Sequence, residues 1–137
     1  MSLSMNPYRV IAIFICAFCI SSCSIPITVS LYNNSSDKIS VSIDSENYTI
    51  SKGSSEEIID FAFYNVSITR NGKVYMYRAP EIDYKYVEWV GWGPFTKRVF
   101  FAQLEPNGEI WATDRWQPRP ARAFKNQPEG FPLKPGA

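Results

Sequence analysis

Apolar and polar residues alternate along most of the chain between residues 25 and 114. In ITVSL, Ile27, Val29 and Leu31 fall on one side of an extended backbone and Thr28 and Ser30 on the other. ISVSI repeats the pattern with Ile39, Val41 and Ile43, and Tyr48 with Ile50 and Val66 with Ile68 continue it. Successive side chains of a strand point to opposite faces, so a period of two in β-branched and aromatic residues marks half-buried strands. Beyond the first 22 residues no stretch carries an apolar stripe at the helical period.

The breaks between these runs are turn-forming. NNSSDK at 33–38 and SKGSS at 51–55 are rich in Ser, Asn and Gly. Asn71-Gly72 separates VSITR from KVYMY, and EPNGE at 105–109, with Asn107-Gly108, separates RVFFAQL from IWATD. Asn-Gly between alternating runs is a hairpin signal, because both residues tolerate the positive φ that tight turns require. About seven to nine short strands with frequent turns predict an all-β fold, a small antiparallel β-sandwich, with a small barrel as the alternative.

YKYVEWVGWGPF, residues 84–95, departs from one-sided alternation. Tyr84 and Tyr86 continue the side of Ile82, while Val87 and Trp89 lie on the other, so both faces are apolar. A strand buried on both sides explains this and predicts Trp89 in the core; an exposed aromatic platform that stacks on sugar rings or packs on a partner is the alternative. Gly91, Gly93 and Pro94 predict a loop that presents Trp92 and Phe95 at the surface.

After Trp116 the texture changes, with five prolines in QPRPARAFKNQPEGFPLKPGA. Proline lacks the donor a ladder needs, so residues 117–137 are expected to form an extended, basic, proline-rich arm. Phe124 and Phe131 are its potential anchors, on the domain or on a partner, and a loosely tethered tail is the alternative. Charge follows this division: residues 23–114 hold 8 Lys/Arg against 12 Asp/Glu, and residues 115–137 hold 5 against Glu129 alone. The two parts cancel, so nucleic acid is not an expected partner.

The amino-terminal part is of another kind. VIAIFICAFCI, residues 10–20, is an uncharged apolar run preceded by Arg9 and followed by Ser21, Ser22 and Cys23. It is shorter than the roughly 20 residues a membrane-spanning helix needs and has the parts of a secretory signal. ISSC at residues 20–23 resembles the lipobox of bacterial lipoproteins, with Ile20 where the family most often has leucine. The resemblance implies lipidation of Cys23, cleavage before it, and loss of Cys16 and Cys19 with the leader. It thus divides the chain into a signal peptide at 1–22, a β-sandwich domain at 23–116 and the arm at 117–137. Plain cleaved secretion and an uncleaved anchor are the alternatives. By the same resemblance, Ser24 is not the aspartate that retains lipoproteins at the inner membrane, which implies the periplasmic face of the outer membrane.

Composition then narrows the chemistry. The chain has no histidine and no cysteine after residue 23, which excludes Ser-His-Asp and Cys-His catalysis and leaves no ligand set for zinc. No phosphate-binding glycine loop is present; GWG at 91–93 lacks the lysine and the spacing. The expectation is a non-enzymatic module without metal or cofactor, held at the membrane through Cys23 and binding an envelope protein or glycan. Trp92, Phe95, Arg115, Arg119 and Arg122 are the candidate surface, since aromatic and arginine side chains dominate binding hot spots. An immunity protein or inhibitor of a toxin or lytic enzyme is one alternative. The other is a glycan-acting enzyme using paired carboxylates drawn from Glu56, Glu57, Asp60, Glu81, Asp83 and Glu88.

Overall fold

The computed structural model describes residues 26–59, 65–115 and 119–136, so the lipobox, Cys23 and Asp60 lie outside the described residues. Among the described residues nine strands form two sheets: β1 (Ile27–Asn33), β2 (Ile39–Ile43), β3 (Glu46–Ile50), β4 (Ser55–Ile59), β5 (Asn65–Arg70), β6 (Lys73–Arg78), β7 (Glu88–Val90), β8 (Lys97–Leu104) and β9 (Ile110–Ala112). One sheet has the order β4-β1-β8-β7, with β9 also on β8, and the other has the order β3-β2-β5-β6. They pack face to face as a sandwich, and the described residues form no closed barrel.

The alternating residues do what their period requires. Val29 and Leu31 of β1, Ile58 of β4 and Phe100, Ala102 and Leu104 of β8 meet Val41, Ile43, Val66, Ile68 and Tyr77 of the other sheet in one buried cluster. Each large aliphatic or aromatic side chain so buried contributes about 1.5 to 3 kcal/mol. Both Asn-Gly hairpins form. Asn71 and Gly72 have φ of 51° and 72°, joining β5 and β6 in a turn whose twist matches the strands. In the second hairpin only Gly108 is left-handed, at 87°. Asn107 instead accepts a hydrogen bond from Glu109 N on its side-chain oxygen, a turn closed by Gly108 N donating to Glu105 O.

Two features go beyond the alternation. β1 pairs parallel with β8, with Ile27 beside Arg98 and Asn33 beside Leu104. In addition, residues 119–136 pack onto the domain. Gln103, 2% exposed, receives Ala121 N on its side-chain oxygen at 2.8 Å. Phe124 N donates to Ala112 O, and Leu133 and Ile110 exchange backbone hydrogen bonds in both directions. The Gln127 side-chain amide also bonds both backbone groups of Ala112. Gly136 N donates to Met76 O on β6. The arm therefore runs beside β9 and ends on the other sheet, closing one side of the sandwich without a regular strand, as its prolines dictate.

Candidate functional site

The segment 84–95 holds four large exposed hydrophobic side chains, Tyr84, Trp89, Trp92 and Phe95. Tyr84–Tyr86 is a 3-10 turn rather than a strand, so the apparent alternation of the two tyrosines has a local cause. Asp83 caps the turn by accepting from Lys85 N. That backbone hydrogen bond, with the Lys85 ammonium, lowers the carboxyl's pKa. Ile82 is buried below, and Tyr86 packs on Phe124 of the arm at 5.3 Å.

Trp89 corrects the expectation of a core residue. It lies directly across from Arg98 in the β7–β8 pair, and Arg98 shares its parity with the core residues Phe100 and Ala102 of the same strand. Its side is therefore the inner one, as a core residue requires. The row nevertheless falls at the end of the sandwich, and Trp89 remains 59% exposed. The Arg98 guanidinium lies 5.1 Å from the Tyr84 ring and 5.9 Å from the Trp89 ring, a cation bracketed by two aromatics. Its Nε is buried with no hydrogen-bond partner among the described residues.

Trp92 and Phe95 are exposed as expected, at 77% and 75%. The loop that carries them is braced from within. Phe95 N donates to Trp92 O, and both Thr96 N and its hydroxyl donate to Gly93 O. Gly91 has φ of 103°, and a side chain there would collide with the Phe95 carbonyl. The two rings meet edge to face at 6.3 Å. Two large apolar side chains thus stand in solvent on a closed, hydrogen-bonded loop rather than on a slack one.

The arginine series does not join this loop. Arg115 is ion-paired with Glu88 at 2.6 Å. Arg119 lies between the Tyr32 and Phe101 rings at 5.4 and 5.5 Å, where burial lowers its pKa and Tyr32 acts in the opposite direction. Tyr32 is in register with Gln103, six residues along β8 from Lys97, or roughly 20 Å at about 3.3 Å per residue. Arg119 therefore fastens the arm to the sheet, and Arg115, just ahead of the arm, is tied to Glu88 of β7. Arg122 is exposed, and its carbonyl accepts from Asp114 N.

Several carboxylates have local partners: Glu57 with Lys97, Glu88 with Arg115, Asp83 with Lys85, and Glu105 with Asn34 and Gln103. Among the described residues no three carboxylate, His or Cys side chains gather as a metal site. No protein-family model matches the chain, and no curated protein or solved structure matches it significantly.

Proposed function

We propose that the chain is a bacterial envelope lipoprotein, anchored through Cys23 at the periplasmic face of the outer membrane, whose β-sandwich acts by binding rather than catalysis. The observation that carries this reading is ISSC, whose Ile20 ends an eleven-residue apolar run with an arginine before it. Acyl chains on Cys23 supply a stable anchor where a single chain would hold only marginally. A recognition role is supported by the exposed aromatic loop, since large apolar side chains grouped in solvent mark contact surfaces. Against catalysis stand the missing histidine and the commitment of several carboxylates to structural partners.

Labelled palmitate tests the anchor. The unaltered protein should incorporate it and sediment with membranes, whereas Cys23→Ser should do neither. Equal labelling of the variant rejects the reading.

A further inference from the structure

We infer that the aromatic end of the sandwich, formed by Tyr84 and Trp89 beside Arg98 and by Trp92 and Phe95 on the adjoining 91–96 loop, rests on the phospholipid surface that receives the anchor. The inference depends on the lipidation of Cys23 proposed above and adds a lipid contact and an orientation.

Topology brings the anchor and the aromatic end together. β1 and β8 are parallel, with Ile27 beside Arg98, and β7 returns antiparallel with Trp89 beside the same Arg98. The start of β1, the start of β8 and the end of β7 therefore share one end of the sheet, where the 91–96 loop turns. Cys23 is three residues before Pro26, the first described residue. Whatever path the chain takes, three Cα–Cα steps of about 3.8 Å span at most ~11 Å. A lipid on Cys23 thus holds a bilayer against this end. The turn at 105–109 lies beyond the other end of β8, whose length is about 26 Å at roughly 3.3 Å per residue.

The side chains suit that surface. Trp and Tyr concentrate at the headgroup layer because each has an apolar body and a polar edge. Arg98 adds a cation for lipid phosphates. The braced 91–96 loop has little conformational freedom left to lose on contact. A lipid anchor on its own leaves the domain free to swing about its tether; a row of aromatics beside the tether fixes one pose. A tether this short also leaves little room for a glycan or a second protein between the patch and the bilayer.

The test uses the full-length protein purified from membranes, in a Trp116→Phe background, reconstituted in vesicles of equal parts phosphatidylethanolamine and phosphatidylglycerol. Bromine on the upper acyl chains quenches tryptophans that touch the interface. The expected result is loss of a large share of the emission. That quenchable share should disappear in Trp89→Phe/Trp92→Phe and persist in Trp111→Phe. A palmitoylated protein whose Trp89 and Trp92 emission ignores brominated lipid overturns the lipid contact alone. The lipid contact is overturned equally if that emission responds instead to peptidoglycan fragments or to an added envelope protein. A protein without palmitate on Cys23 overturns the anchor and this inference with it.

Discussion

The ring of Phe131, in the proline-rich carboxy-terminal stretch, lies 5.2 Å from the ring of Phe100 in β8. Phe100 is fully buried and Phe131 nearly so, so a residue from an irregular segment completes the core of a regular sheet. Phe131→Ala should cost about 3 to 5 kcal/mol, the usual range for removing a buried phenylalanine. Urea unfolding followed by near-ultraviolet circular dichroism measures it. A midpoint unchanged from the unaltered protein would show that the arm is not part of the cooperative unit.

Trp92 should behave in the opposite way. At 77% exposure it contributes little burial, and Trp92→Ala should change stability by no more than about 0.5 kcal/mol, as surface substitutions do. A thermal melt decides; a steep fall in melting temperature would place the ring in the core after all.

The Asn71-Gly72 turn carries a backbone prediction. Gly72 has φ of 72° and open space around its Cα, so a substitution there suffers from conformation and not from collision. Gly72→Val should destabilise by about 1 to 2 kcal/mol, the penalty of a left-handed residue bearing a Cβ. Gly72→Asn should recover part of it, since asparagine visits that region. Chemical denaturation of the two variants side by side gives the comparison.

Tyr77 gives a prediction in pH. Its hydroxyl donates to Gly108 O at 2.7 Å, and burial raises its pKa above the ordinary 10.0, with Arg70 opposing and Tyr75 adding to the rise. The folded state thus holds this proton more tightly than the unfolded chain. The stabilisation is fully present below about pH 10 and is lost as pH rises through the folded value. Tyr77→Phe should cost about 1 kcal/mol near neutral pH from the missing hydrogen bond. The difference between variant and parent should shrink in urea titrations at about pH 11.

The period-two runs made the sandwich legible because a strand with one buried face must alternate, and both Asn-Gly hairpins were legible from the positive φ that Gly72 and Gly108 adopt, Asn107 serving instead through its side-chain oxygen. The turn between β2 and β3 was not, because Asp44-Ser45 contains no glycine and Asp44 takes φ of 53° unaided. Nor does alternation encode partners. The β1–β8 pairing joins strands about 70 residues apart, and nothing local marks it. Trp89 shows the limit most clearly: with both faces of the segment apolar the sequence did not say which side was inner, and its burial depended on whether the opposite sheet extends that far. For the candidate site, the Gly-rich loop disclosed Trp92 and Phe95. The stacking that binds Arg119 to Tyr32 and Phe101 arises only when the arm folds back.

That folded-back arm also fixes when the molecule can become itself. Ile27 opens the first sheet, and Leu133 pairs with Ile110 about a hundred residues later. A chain emerging from its amino-terminal end cannot seal its interior until Phe131 has appeared, and until then Phe100 and the free side of β9 stay uncovered. Such long-range closure makes folding slow and leaves sticky edges exposed in the interval. The interior is therefore completed by its most distant part, and a chain cut short before residue 131 would leave Phe100 without the ring that covers it.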